Sequence, residues 1–406
     1  MMTPDNCILI AGAGPVGMTT ALALAKAGIP VKIFDTLDHI PADHRASTLH
    51  PSTLMMVEEL GMTEKLLPRG IESPMFQFRD RVGDRIVVEF DYRDIKDVLT
   101  YPYALQVEQH KTIEVAYELA KDIDCFELIR EREVVGLIQD DDGVEVTVQA
   151  PDGTKETHSG RYLVGADGGR SVVRKALDID FPGFTWEERF IIVSTYYDFE
   201  EAAGYRYRNY VAHPERWCAM IKVPGDESEG VWRALFPAFG DAPDEDVLSD
   251  EWIQARFAEC YPYNPPYDLL HRNLYSVHQR VAATFAKGRV ALAGDAAHVN
   301  NPLGGMGMNS GIHDGLNVAK KLEESWHGGD HEALLARYDR QRRPMAEKYV
   351  QAQSINNKRM LQETDPKIRE ERLNELADTA KDEAANRAYL LRSSLVSMVE
   401  EAESIQ

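Results

Sequence analysis

The sequence predicts an α/β fold. The chain crosses several times between a doubly wound nucleotide-binding core and a second, mixed sheet, and it ends in helices. Three observations carry this. An apolar run, Cys7-Ile8-Leu9-Ile10-Ala11, feeds a glycine-rich turn, Gly12-Ala13-Gly14-Pro15-Val16-Gly17. A later apolar run, Arg289 to Ala293, feeds another, Gly294-Asp295-Ala296-Ala297-His298, followed by Pro302, Gly304, Gly305, Gly307 and Asn309. Between the two lie aromatic-rich segments that alternate apolar and polar residues, the period of half-buried strands.

Residues 7 to 34 read as strand, turn, helix, strand, a Rossmann-like unit. Pro15 suits a first helical turn and Gly28 a helix stop. Val31-Lys32-Ile33-Phe34 is the second strand, with Asp35 at its end, close to the spacing of a ribose-binding acid. From Phe76 to Thr100 alternation suggests antiparallel strands. Helical periodicity returns between Gln106 and Lys121, and Val134 to Val148 reads as a hairpin broken at Asp140-Asp141-Asp142-Gly143. Tyr162 to Ala166 is a buried strand that ends at Asp167-Gly168. Phe190 to Phe199, Tyr205 to Val211, Trp217 to Val223 and Val231 to Phe236 are strands of the second sheet. Ser310 to Glu324 is a helix, and the rest, from Tyr338 on, is charged and helical. The expected division is 1–75, 102–182 and 272–345 for the nucleotide domain, 76–101 and 183–271 for the second sheet, and 346–406 for C-terminal helices.

At 406 residues the chain is long enough for two domains. A formal charge of -22 argues against a nucleic-acid or anionic-membrane partner, since both want a basic face. No apolar run is long enough to span a bilayer, and the N-terminal apolar stretch has no basic region before it. Cys7, Cys125, Cys218 and Cys260 show no C-x-x-C spacing, so neither a metal site nor a disulfide framework is expected, and a cytoplasmic location is.

The glycines have physical tasks. Gly12 permits a tight turn, Gly14 lets the backbone approach a pyrophosphate, and Gly17 lets helix and strand lie close. The helix start then holds the phosphate charge. Alone, this fingerprint fits NAD and FAD equally. The segment around Asp295 breaks the tie. Asp295 can accept a bond from a ribityl hydroxyl. Gly304, Gly305 and Gly307 leave amides bare near a helix start that favours the negative charge of a reduced flavin. His298 reads as a buried structural histidine, because no metal-ligand partners stand at suitable spacing.

These motifs resemble the single-component FAD-dependent aromatic hydroxylases, the group typified by p-hydroxybenzoate hydroxylase. The resemblance rests on Gly12/Gly14/Gly17 with Asp35, on the stretch from Tyr162 to Arg174, and on Gly294 through Asn309. It implies that Arg45 reaches the FAD phosphates and that Gln109, or less readily Gln106, lies near the ribityl chain. Asp167 and Gly168 would help bind FAD and the nicotinamide. Asp295 would hold the ribityl group, Pro302 would place its carbonyl near the reacting ring, and Gly305, Gly307, Met308 and Asn309 would surround it. Asn301 departs from a frequent Pro-Pro pair, which bears on the rigidity of that loop.

The resemblance further implies hydroxylation of a phenol or a hydroxylated N-heteroaromatic ring through a flavin C4a-hydroperoxide, with NAD(P)H and O2. The alternatives are a larger polyketide or lipid-like substrate and a non-catalytic flavin-binding protein. The second sheet would wall the substrate pocket, with Tyr196, Tyr210, Met220 and Arg233 favoured among Tyr197, Tyr205, Tyr207, His213 and Trp217. Strand alternation lets only about half of these face it. Arg233 could pair a substrate carboxylate. The acidic stretch Asp35 to Asp43 suggests NADH over NADPH. Leu391, Leu395, Met398 and Val399, at helical spacing, either pack on the chain's own core or form a homodimer interface.

Overall fold

A computed structural model describes residues 5–42, 46–225, 230–262 and 266–406. The run Ile8–Ala11 is buried on both faces and pairs in parallel with Val31–Phe34 and Tyr162–Gly165. Apolar residues on both faces are what a parallel sheet covered by helices requires. The full six-stranded sheet runs, in spatial order, through 286–287, 290–292, 162–165, 8–11, 31–34 and 126–129. The helix Pro15–Lys26 has proline in its first turn, and the chain leaves it through Gly28 at φ +75°.

A second long helix, Gly307–Trp326, lies parallel to Pro15–Lys26. Gly311 faces Val16 and Gly315 faces Thr20. A Cβ on Gly311 would stand 2.7 Å from the Val16 Cγ2, and one on Gly315 2.3 Å from the Thr20 Oγ1. The two glycines therefore set a close approach, and the positive ends of both helices point the same way.

The second sheet has eight strands, in the order 298–299, 269–281, 183–195, 231–238, 218–223, 208–212, 75–80, 85–91. The sequence reading missed Leu269–Val281. Much of that strand faces water, and polar residues such as Arg272 and His278 hide its alternation. The strand pairs along Gly183–Thr195, so the second sheet extends to Val281, past the expected boundary at 271.

One face of this sheet carries Phe76, Phe78, Phe190, Ile192, Tyr210 and Leu235 and looks toward the nucleotide domain, where Leu303 joins the cluster. The opposite face carries Ile191, Val193, Val211, Met220, Trp232 and Phe236 and packs on Ile253 and Phe257 of the helix Asp250–Cys260. The hairpin Glu133–Gln139 with Val144–Gln149 forms as expected, and Lys155–Gly160 completes a small sheet of its own.

The expected break at residue 345 is absent. The helix His331–Met345 runs through a π-type stretch, Ala346–Gln351, into Ala352–Leu361. Pro344 sits inside it and cannot donate to the preceding turn, which accounts for the local rewinding. Beyond lie Pro366–Thr379, Glu383–Ser393 and Val396–Ser404. Leu395 and Met398 are buried with Met306, Met345 and Val350, and Leu391 packs on the aromatic cluster. These three residues of the apolar stripe thus pack on the chain's own core. Among the described residues no helix is long and apolar enough to cross a membrane.

Candidate active site

The first glycine turn is shaped by contacts that exclude side chains. Gly12 has φ +95°, and a Cβ on it would meet the Ala166 carbonyl at 2.4 Å. A Cβ on Gly17 would meet the Gly12 carbonyl at 1.9 Å. Gly14 differs: nothing of the protein lies within 4 Å of its Cβ position, so the backbone there is open to a ligand. Asp35 braces the turn, its Oδ2 accepting from the Ala13 amide at 2.7 Å and its Oδ1 from the Leu37 amide at 2.9 Å. Asp167 caps a short helix by accepting from the Val172 and Val173 amides at 2.7 and 3.0 Å. Its Oδ1 is buried with no hydrogen-bond partner among the described residues and can accept from a donor on a ligand. Gly168 beside it has φ +78° and open space at its Cβ position. Arg45 lies outside the described residues. Its neighbour Ala46 accepts from the Gln109 amide, which starts the helix Gln109–Ala120.

The second loop is held by a buried charge network. Asp314 accepts from Arg342 Nε at 2.6 Å, pairs with His298 Nε2 at 2.8 Å and accepts from the Gly294 amide at 3.2 Å. Burial alone would push the Asp314 carboxyl up, but Arg342 and His298 hold it below the usual carboxylate range. The structural reading of His298 therefore stands. The network fixes the turn from which Asp295 projects, exposed, at the strand end.

Asn301 supplies the rigidity that its departure from Pro-Pro put in question. It accepts from the Leu303 amide at 3.1 Å, and its own amide donates to Gln279 at 3.0 Å. Pro302 accepts from the Gly305 amide at 3.0 Å, closing the turn. Asn309 ties three segments: it accepts from the His50 amide at 2.8 Å and donates to the carbonyls of Thr48 at 2.8 Å and Gly305 at 2.6 Å. Its side chain is thus a clamp, while the amides of Gly307, Met308 and Asn309 form the unpaired first turn of the helix. Gln106, rather than Gln109, joins this cluster. Gln106 accepts from Thr48 at 2.7 Å and leaves a buried Nε2 without a partner.

Between this loop and the second sheet lies an aromatic layer. Tyr210 stacks on Phe78 with centroids 4.9 Å apart, Phe76 stacks on Phe90 at 5.3 Å, and Tyr389 from the C-terminal helices stacks on Phe90 at 4.2 Å. Burial pushes the Tyr210 phenol up, against the pull of Arg208.

The favoured wall residues separate here. Tyr210 faces the layer. Met220 does not, because strand alternation turns it to the opposite face against Trp232. Tyr196 lies beyond the end of its strand and is 47% exposed. Arg233 is buried on the sheet face that also carries Leu235, where it donates to the hydroxyls of Ser47 and Ser194. The sequence reading missed Arg208 and gave His50 no role. Arg208 shares a strand face with Tyr210, two residues away, and that spacing on an otherwise apolar face was the available signal. His50 lies against the glycine loop, its Nε2 at 2.8 Å from the Gly304 carbonyl. A carbonyl only accepts, so Nε2 carries the proton and Nδ1, buried and unpartnered, offers a lone pair. Burial, then repulsion from Arg208, hold this imidazole down to about 3.

Three observations fit a bound flavin dinucleotide: the bare approach at Gly14, the unmatched Asp167 oxygen, and two parallel helix starts beside the Asp35 and Asp295 carboxylates. Comparison with known proteins agrees. A family model described as "FAD binding domain" matches residues 5–353. The chain is 31% identical to para-nitrophenol 4-monooxygenase of Pseudomonas sp. (strain WBC-3), over 96% of each chain. It is 29% identical to 6-hydroxy-3-succinoylpyridine 3-monooxygenase of Pseudomonas putida, covering 90% of this chain and 91% of that one. The solved p-nitrophenol 4-monooxygenase PnpA of Pseudomonas putida DLL-E4 superposes with a TM-score of 0.91 at 29% identity, over 98% of this chain and 99% of the other. The chain belongs to the FAD-binding-domain family, among the single-component FAD-dependent aromatic monooxygenases.

Proposed function

We propose that this protein hydroxylates a small phenol, or a hydroxylated N-heteroaromatic ring, with O2 and a reduced nicotinamide. The observation that carries the reading is the aromatic layer of Phe76, Phe78, Tyr92, Tyr210 and Trp217 set against Leu303 of the glycine loop. Stacked rings with a few polar groups among them suit a flat, electron-rich ligand. The relatives named for para-nitrophenol, pentachlorophenol and 6-hydroxy-3-succinoylpyridine support it.

Gly12, Gly14 and the start of the first helix would hold the pyrophosphate, with Arg45 beside it. Asp35 would take the adenosine ribose. Asp295, with Gln109 or Gln106, would take the ribityl chain, and Asp167 with Gly168 would add a further anchor. The amides of Gly307, Met308 and Asn309, with Gly305 beside them, would face the negative charge of the reduced ring. When bound, FAD supplies the passage of electrons from nicotinamide to O2. The chain's own side chains orient the substrate and keep water out. Tyr210, kept protonated by burial, donates to the substrate oxygen, and the His50 Nδ1 lone pair can accept a hydrogen bond.

NADH is the reductant on this reading, because a chain with a formal charge of -22 disfavours the extra 2′-phosphate of NADPH. Four unbonded thiols suit a reducing cytoplasm. The test uses purified, FAD-loaded protein and a panel of hydroxylated benzenes and pyridines. The expected result is substrate-stimulated NADH oxidation, matched by O2 uptake and a hydroxylated product. Flavin-loaded protein that shows no stimulation with any ring would refute the reading, and faster turnover with NADPH would refute the cofactor choice.

A further inference from the structure

Arg208 is a buried cation with no anion. It is 4% exposed. Its Nη2 donates to the Tyr92 hydroxyl at 2.9 Å, and its guanidinium carbon lies 4.2 Å from the centre of the Phe76 ring. Its Nε and Nη1 have no hydrogen-bond partner. Among the described residues no carboxylate pairs with it. The groups that feel its charge most are the phenols of Tyr92, Tyr210 and Tyr389. A guanidinium desolvated without a counter-charge is costly, and structures retain one where something else completes it.

The other buried arginines of this chain show the contrast. Arg342 pairs with Asp314, and Arg369 donates to Asp80 at 2.5 Å. Arg174 satisfies itself on the carbonyls of Ala296 and Gly169, and Arg233 donates to the hydroxyls of Ser47 and Ser194. Arg208 alone of these is left with two nitrogens open, and it stands in the aromatic layer beside Tyr210.

We propose that Arg208 is the receptor for a negatively charged oxygen on the substrate ring, so that the enzyme selects aromatic rings that carry one. The inference rests on the monooxygenase reading above and deepens it. The open N–H groups of Nε and Nη1 lie on different sides of the guanidinium, and each can give one charge-assisted bond to an oxygen. Two sources share this chemistry: an ionised ring hydroxyl, or the oxygens of a nitro or carboxylate substituent. In the first case Arg208 also holds the substrate in the form whose ring is most nucleophilic.

The test measures ligand binding to FAD-loaded protein through the perturbation of flavin absorbance. The probes are 4-nitrophenol, 4-cyanophenol (ionisable, no nitro group) and 4-nitroanisole (nitro group, not ionisable). Arg208→Met is expected to weaken binding on the order of 100-fold, the usual effect of truncating one partner of a buried charge pair. Arg208→Lys should recover part of that loss.

If the hydroxyl is the partner, 4-cyanophenol binds, 4-nitroanisole does not, and affinity rises with pH as the free phenol ionises. If the substituent is the partner, 4-nitrophenol and 4-nitroanisole bind alike and 4-cyanophenol does not. Equal affinities in wild type and Arg208→Met for every probe would overturn the proposal.

A second readout separates this role from a structural one. Without ligand, Arg208→Met should melt at the parent temperature or above it, because an uncompensated charge has been removed. A marked drop would mean that Arg208 serves the fold, and would also overturn the proposal. Failure of the monooxygenase reading shows separately, as bound 4-nitrophenol with no stimulated NADH oxidation in the wild type.

Discussion

At the scale of single residues, glycines with the same motif role face different constraints. Gly17 is packed against the Gly12 carbonyl, whereas Gly14 opens onto space that the protein leaves clear. Gly17→Ala is therefore expected to destabilise the protein without any ligand, by about 3 kcal/mol or more, since the obstacle is backbone. Gly14→Ala should leave the apoprotein within about 1 kcal/mol of the parent, because its φ of -69° suits any residue. It should weaken FAD binding all the same, because the added methyl group lies in the pyrophosphate's path. Thermal melts of the two apoproteins, beside FAD titrations followed by fluorescence, check both expectations. Equal apoprotein stabilities would contradict the packing argument.

At the scale of elements, the flavin loop is a passive turn braced from three sides. Asp314 ties the turn at Gly294 to the helix Gly307–Trp326 and, through Arg342, to the helix that follows. Asn309 ties the same helix to Thr48 and His50. The C-terminal helices press Met398 against Met306 from behind. Asp314→Asn removes the counter-charge of a buried arginine, and a loss of about 3–5 kcal/mol in unfolding free energy is expected. The freed turn should also release FAD faster. Denaturant unfolding and a flavin dissociation time course measure the two effects, and an unchanged unfolding midpoint would show that the network does not brace the loop. None of this bracing was visible beforehand. His298, Asp314 and Arg342 occupy separate elements, and nothing in their spacing announces that they meet.

At the scale of the whole molecule, the interior buries two neutral histidines, one against the Gly304 carbonyl and one against Thr53. His50 and His313 are both held down to about 3, in each case chiefly by burial. In the unfolded chain a histidine takes up a proton near pH 6.5. Between about pH 6.5 and pH 3 the unfolded state thus binds more protons than the folded one, and stability falls as pH falls. Each histidine contributes a slope of about 1.4 kcal/mol per pH unit in that window. Urea unfolding at several pH values between 7 and 5 should show the loss, and His313→Gln should flatten the slope by about one proton's share. A variant with the parent slope would mean that His313 is protonated in the native state.

The two glycine turns, the aspartates that end their strands, the interleaving of two domains and the strand that carries Tyr210 were all legible from the chain alone. They depend on local signals: positive φ, close backbone approach, the alternation of a strand and the acid at its end. What only the tertiary structure decided was which groups lack a partner. The open nitrogens of Arg208, the lone pair of His50, the turning away of Met220 and the unmatched amide of Gln106 depend on what stands opposite each side chain. Those neighbours come from segments far apart in sequence, and a buried charge shows itself as a site only when its surroundings fail to neutralise it.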